Sequence, residues 1–282
     1  MNITLAPGPI GAAVHGLDLP AIAHDDFTKL RDLVHARGVV AVRGQKLGEA
    51  EQVTFARRFG DLQKIFIKDA LSTRYPELFF VSNVDENGKP LGSKDAGEFW
   101  HTDGAYLPSP HSVSMLYAVE VPHGPDGTAL GDTRFAGMAA AYDALPPATR
   151  ELIDGLRGVH SLYHRYTIKP AKPGSMATQS ADFPPVSHPL AIRHPVTGRR
   201  CLYLSEGYTT QVEGLPQDEG QQLLAMLNQH VLKPEFGYRH AWAEGDLVLW
   251  DNRATLHHAT FDYTPSQRRV MRRATVGGGP LG

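Results

Sequence analysis

Gly245-Asp246-Leu247-Val248-Leu249-Trp250-Asp251-Asn252-Arg253-Ala254-Thr255-Leu256-His257 begins as a strand and ends at a histidine. A short apolar run from Leu247 to Trp250, closed by polar residues, has the length and composition of a β-strand. Just beyond it, Gln267-Arg268-Arg269-Val270-Met271-Arg272-Arg273-Ala274-Thr275 places four arginines in an otherwise largely apolar stretch. On a strand, Arg269 and Arg273 share a face with Met271. A guanidinium buried on that face is costly unless an anion meets it. A dicarboxylate ligand is such an anion, and Arg offers it a bidentate fork. The plainer alternative is a solvated basic edge strand, a description that suits Arg268 and Arg272.

Upstream lies Trp100-His101-Thr102-Asp103. If Trp100 to Tyr106 is extended, His101 and Asp103 point to one face and converge. Two imidazoles and one carboxylate on one face of an octahedron hold iron and leave positions open for substrate and oxygen. The third ligand must come from elsewhere in the chain. In a protein with 14 histidines, His-x-Asp alone is a common accident, so its weight depends on context.

The other elements follow from periodicity. Asp25 or Asp26 is expected to cap a helix through Arg37, ended by Gly38. Val39 to Val42 reads as a buried strand and Glu49 to Phe59 as a helix. Strands are expected at Leu78 to Ser82, Val113 to Val121, Tyr238 to Trp242 and Arg269 to Val276. Helices are expected at Phe135 to Leu145, Ala148 to Leu156 and, most clearly, Gln217 to Leu232. Ala191 to Arg193 and Cys201 to Leu204 flank a hairpin turn. Residues 169–189 are rich in Pro, Ser and Lys, the composition of a lid loop. With no repeat and no break in composition, residues 1–282 read as a single domain: a β-rich core with flanking helices.

The 282 residues are 41% hydrophobic and 21% charged, with a formal net charge of −2. That balance carries no electrostatic footprint for nucleic acid or an anionic membrane. No apolar run approaches the roughly 20 residues that span a bilayer. The single cysteine, Cys201, forms no disulfide within the chain and sits in an apolar run, so it is expected in the core. No secretory signal is visible. A cytoplasmic location is the expectation, and a homo-oligomer stays open.

Taken together, Trp100-His101-Thr102-Asp103, Gly131-Asp132-Thr133, Trp250-Asp251-Asn252-Arg253 with His257, and Arg269-x-x-x-Arg273-Ala274-Thr275 resemble the taurine dioxygenase (TauD/TfdA-type) oxygenases. Gly38 to Gly44 and Phe55 to Gly60 are also similar to that family, so the resemblance spans nearly the whole chain. It implies a double-stranded β-helix (jelly-roll) core. It implies Fe(II) on His101, Asp103 and His257, with 2-oxoglutarate and O2 as cosubstrates. It further implies that the distal 2-oxoglutarate carboxylate meets Arg269 assisted by Thr133, with Arg273 near both organic ligands. His258 should point away from the metal if its segment is extended.

The expected activity is oxidation of a C–H bond of a small anionic substrate, by hydroxylation or desaturation, with release of succinate and CO2. Asp103 argues against halogenation, since related halogenases lack this carboxylate. Candidate substrate contacts are Tyr106, Asn83, His164, Lys169 and Arg273. Three departures bear on the assignment. Pro122 to Gly131 is longer than the family's usual approach to Gly-Asp-Thr. Ser266 looks like an insertion that could shift the arginines by one. Gly60 to Phe66 lacks the histidine that meets a sulfonate in the taurine enzyme, which disfavours taurine. Phe80 to Lys89 and Leu202 to Tyr208 also resemble a subgroup that forms isonitriles from N-substituted amino acids. Two rivals use the same ligands: a zinc hydrolase, and a non-catalytic jelly-roll binding protein with a structural metal.

Overall fold

A computed structural model describes residues 1–65, 70–86, 88–168 and 183–281. The first third of the chain forms β1 (Asn2–Leu5), β2 (Ala12–His15), α1 (His24–Arg37), β3 (Val39–Val42), α2 (Glu49–Ala56), β4 (Leu78–Ser82), β5 (Asp85–Glu86) and β6 (Lys89–Pro90). The middle holds β7 (Val113–Glu120), β8 (Thr133–Gly137), α3 (Met138–Asp143), α4 (Pro147–Asp154), β9 (Arg157–His160) and α5 (His164–Ile168). Then follow β10 (Val186–Pro189), β11 (Ala191–Arg193), β12 (Arg200–Leu202), β13 (Thr209–Val212), α6 (Gln217–Val231), β14 (Gly237–His240), β15 (Leu247–Asp251), β16 (Thr255–Ala259) and β17 (Val270–Thr275).

Seven strands make the major sheet, in the order β1-β2-β3-β15-β7-β17-β4, and β14-β8-β16 make a smaller one. Strand alternation explains how the major sheet is covered on both faces. Val40, Val42, Leu247 and Leu249 share a core with Phe27, Leu30 and Val34 of α1 and with Val53 and Phe55 of the α2 region. Val39, Ala41, Val248 and Trp250 point the other way and meet Phe135 of the smaller sheet. Two β-sheets closed over one interior form the jelly-roll core, and that interior is where the candidate ligands lie. A third cluster joins α3 and α6 to β11 and β12 and includes Cys201, whose burial pushes its thiol up to about 12. No helix among the described residues is long and apolar enough to cross a membrane.

Several local expectations are corrected. Residues 133–137 are a strand, not the start of a helix: β8 pairs antiparallel with both β14 and β16, and α3 begins only after Gly137. Two ladders of main-chain hydrogen bonds hold Thr-Arg-Phe-Ala-Gly as a strand, and the helix takes only the alanine-rich run that follows. Trp100 to Tyr106 is not an extended strand. Only His101 pairs, with His257, and the chain then turns at Gly104, which has φ of 75°. A Cβ there would lie 2.8 Å from His111 Nδ1, so both the dihedral and the close approach call for glycine. Helix α1 begins at His24 after Ala23, with no side-chain cap; Asp25 and Asp26 lie in its first turn, where they complement the helix dipole. Of the expected lid at 169–189, residues 169–182 lie outside the described residues, and 186–189 form β10, paired with β9.

Candidate metal and cosubstrate site

The strand β16 carries His257 into the interior. Its backbone exchanges two hydrogen bonds with His101, of 2.8 and 3.1 Å, which brings the two imidazoles to a centroid separation of 4.1 Å. The turn after His101 then swings Asp103 between them. His101 Nε2 lies 3.8 Å from Asp103 Oδ1, and His257 Nε2 lies 3.9 Å from Asp103 Oδ2. One donor atom from each of the three residues lies within 4.8 Å of the others, and all three residues are buried. His101 Nδ1 donates to Phe99 O at 2.6 Å, which leaves Nε2 with its lone pair facing inward. His258 faces the other way and lies beside Trp100.

Burial pulls the pKa of His101 down against the nearby Asp103, and burial together with His101 pulls that of His257 well down. Burial would raise the Asp103 carboxyl, but the positive charge around it, Arg273 first, outweighs burial and holds it below the usual carboxylate range. The group is therefore two neutral imidazoles and one carboxylate, the protonation state a divalent cation requires. Hydrogen bonds hold Asp103 on both sides: Arg273 Nη1 donates to Oδ1 at 2.9 Å and Ser114 Oγ to Oδ2 at 2.7 Å.

Arg269 is 3% exposed and makes no ion pair among the described residues. Its Nη2 donates to Gly131 O at 3.3 Å, its guanidinium lies over the Tyr263 ring at 5.9 Å, and its Nε is buried without a partner. A buried cation in that state fits an incoming carboxylate. Asn83 accepts from the Arg269 N–H at 2.8 Å and donates to Gln267 O at 2.9 Å, and these bonds fix where the strand begins. The preceding Arg268 is exposed and paired with Glu120, as a solvated basic residue should be. Arg272, expected to be solvated too, is instead buried: it donates to Leu47 O and covers the Tyr117 ring. Its aliphatic stem and flat guanidinium suit the seam beneath α2.

The long approach to Gly131 folds back on itself. Gly124 N–H bonds Thr128 O at 2.8 Å and Leu130 N–H bonds Pro122 O at 2.8 Å, so the extra residues form a side turn. Thr133 is buried on β8, and its hydroxyl oxygen accepts the Trp242 indole N–H at 3.1 Å. Gly131 has φ of 77°, and a Cβ there would stand 2.9 Å from Arg269 Nε. Gly131→Ala is therefore expected to push the guanidinium out of place and raise the 2-oxoglutarate KM severalfold with little change in the substrate KM. Steady-state titration of each compound checks this; unchanged cosubstrate KM would separate Gly131 from the Arg269 pocket.

The substrate candidates are placed unevenly. Tyr106 is buried within 5.3 Å of the Tyr208 ring, and Tyr208 lies 6.2 Å from the His101 ring, so both belong to the wall of the site. Arg273 reaches Asp103 directly. His164 lies on α5 with its ring near the Thr167 hydroxyl, Asn83 is engaged by backbone, and Lys169 lies outside the described residues. Tyr208, Ser114, Asn252 and Arg165 were not anticipated. Arg165 lines a small cavity with His101 and Tyr208. Ser114 and Arg165 belong to no motif, and the motifs that contain Asn252 and Tyr208 give neither a place beside His101 and Asp103; only the folded chain brings them together.

A second cluster, His35, His194 and Asp251, also gathers potential metal donors. His194 Nδ1 accepts the N–H groups of Val196 and Thr197, so its Nε2 carries the proton and donates to Asp251 at 2.9 Å. His35 Nδ1 meets the same oxygen at 2.6 Å, and Arg253 donates to the other. With its carboxylate already neutralised by these donors, the cluster is a structural clamp.

A jelly roll with an interior His/Asp/His group and a buried arginine that makes no ion pair among the described residues fits a 2-oxoglutarate-dependent non-haem iron oxygenase. The chain belongs to the taurine catabolism dioxygenase TauD, TfdA family, whose model matches residues 2–275. It is 39% identical over 277 residues to an alpha-ketoglutarate-dependent 2,4-dichlorophenoxyacetate dioxygenase of Cupriavidus pinatubonensis, covering 94% of this chain and 93% of that one. It is 35% identical to pentalenolactone F synthase of Streptomyces arenae, covering 97% and 94%. The crystal structure of AAD-2 in complex with Mn(II) and N-oxalylglycine superposes with a TM-score of 0.85 at 33% identity, over 100% of both chains. The protein is thus a dioxygenase that uses iron, 2-oxoglutarate and O2 and acts on a small molecule.

Proposed function

We propose that the whole chain is one oxygenase domain in which His101, Asp103 and His257 bind iron and form the catalytic centre. Arg269, with the Thr133 hydroxyl, receives the distal carboxylate of 2-oxoglutarate. The substrate is a small carboxylate with an apolar body, oxidised at a C–H bond, and Arg273 lies beside both organic ligands. The observation that carries this assignment is Arg269, a buried cation that makes no ion pair among the described residues, in the same interior as three buried metal donors. The rings of Tyr106, Tyr208 and Phe183 support an apolar substrate body. The Cupriavidus relative is named for a chlorinated aromatic carboxylate. A diffusible substrate in the cytoplasm, with no nucleic acid or membrane partner, fits this chemistry.

When bound, iron supplies the activation of O2 that is coupled to decarboxylation of 2-oxoglutarate to succinate and CO2. The chain's own residues do the rest. The neutral imidazoles and the Asp103 carboxylate present lone pairs without first losing a proton. Arg269 and Thr133 orient the cosubstrate from its far end. Tyr106 and Tyr208 keep water from the reacting face.

Succinate release from purified enzyme with Fe(II) and 2-oxoglutarate, measured on matched carboxylates and their neutral amides, tests the proposal. Carboxylates should stimulate turnover and amides should not; equal stimulation would refute an anionic substrate. In Arg273→Ala, stimulation by substrate should fall sharply while substrate-independent decarboxylation of 2-oxoglutarate stays measurable.

A further inference from the structure

Asn252 belongs to the Trp250-Asp251-Asn252-Arg253 run, and neither the metal set nor the cosubstrate pocket gives it a part. It is 2% exposed and close to several polar groups at once. Its Oδ1 accepts the Trp250 indole N–H at 3.0 Å and the Asp103 backbone N–H at 3.2 Å. An atom that receives two N–H donors must be the carbonyl oxygen, so the amide nitrogen faces the other way. There Nδ2 donates to Ser114 Oγ at 3.0 Å. With its oxygen engaged by that N–H, the Ser114 hydroxyl directs its own proton to Asp103 Oδ2 at 2.7 Å. The chain of donors runs one way, from Asn252 through Ser114 to the carboxylate, and each bond polarises the next.

The loop that carries Asn252 cannot drift. Asp251 is gripped by His35, His194 and Arg253, and the Asn252 N–H bonds Ser112 O at 2.8 Å. The Thr102 hydroxyl donates to the Asn252 carbonyl, which ties the same loop to the residue between His101 and Asp103. The His35–His194–Asp251 clamp thus has a consequence at the metal site, through the residue that follows it.

We infer that Asn252 and Ser114 are positioning residues that fix the rotation of the Asp103 carboxylate and so decide which of its lone pairs face His101 and His257. A carboxylate turns easily about its terminal bond, where the preference is broad and two-fold. Without the Ser114 hydroxyl, the hydrogen bond from Arg273 to the opposite oxygen would act unopposed by Ser114 and draw the carboxylate toward itself. This inference rests on the assignment of His101, Asp103 and His257 as the metal ligands.

The test is a Co(II) titration of the metal-free full-length protein, followed by visible absorption, with thermal melting of each metal-free variant as the control for folding. His257→Ala should lose binding. Ser114→Ala should weaken the Co(II) Kd by about 10- to 100-fold, the range typical of residues that orient metal ligands. Its Co(II) spectrum should also change, which a residue serving only the fold would not cause. Asn252→Ala leaves Ser114 in place but frees its hydroxyl to rotate, and it should shift Kd and spectrum in the same direction. If His257→Ala binds Co(II) like the wild type, the ligand assignment itself fails. If His257→Ala loses binding while folded Ser114→Ala and Asn252→Ala keep the wild-type Kd and spectrum, the positioning inference alone is overturned.

Discussion

His101→Ala, Asp103→Ala and His257→Ala each abolish iron-dependent succinate formation, whereas His258→Ala retains it. The contrast between adjacent histidines follows from β16. His257 projects inward to within 3.9 Å of Asp103, and His258 projects outward against Trp100. Removing an imidazole leaves two donors, too few to hold the cation and keep its open positions defined. The Asp103→Ala variant has a second defect, since Arg273 loses the carboxylate that neutralises it in a buried site. Succinate assays at saturating Fe(II) and 2-oxoglutarate check all four variants. An active His257→Ala together with an inactive His258→Ala would contradict the direction in which β16 presents its side chains.

Arg269→Ala raises the 2-oxoglutarate KM steeply. Truncating one partner of a desolvated charge pair costs roughly 2–5 kcal/mol, or on the order of 30- to several-thousand-fold. Arg269→Lys recovers only part of this, because an ammonium cannot reproduce the planar fork. The burial pattern separates this residue from its neighbours: Arg268 is solvated on Glu120, Arg272 lies under α2, and Arg273 reaches Asp103. Cosubstrate titration of Arg269→Ala and Arg273→Ala side by side checks the division. A cosubstrate defect confined to Arg273→Ala would exchange the two roles.

The candidate donors His101, Asp103 and His257 were legible through the family resemblance of their motifs, and the shared face of Arg269 and Arg273 through strand alternation, a local property of the chain. The reason given for His101 and Asp103 was incomplete, however. They converge because Gly104 turns the chain beside a single bridge to His257, and not because a strand continues through Tyr106. The helix at 217–231 was legible from its 3.6-residue apolar period. The strand at 133–137 was not, since its partners lie some hundred residues downstream and the alanine-rich helix that follows it at once blurs their boundary. Arg272 was misjudged for a related reason: its cover, α2 and Leu47, is remote in sequence. Ser114 and Asn252 stayed hidden because a serine in an apolar strand and an asparagine in a motif carry no spacing signal toward Asp103.

The most direct measurement is a crystal structure of the protein with Mn(II) and N-oxalylglycine, with the metal located by its anomalous scattering. The expected result is one metal peak among His101, Asp103 and His257, with the distal carboxylate of the analogue on Arg269. A metal peak at His35, His194 and Asp251, or the distal carboxylate on Arg273 instead of Arg269, would contradict it.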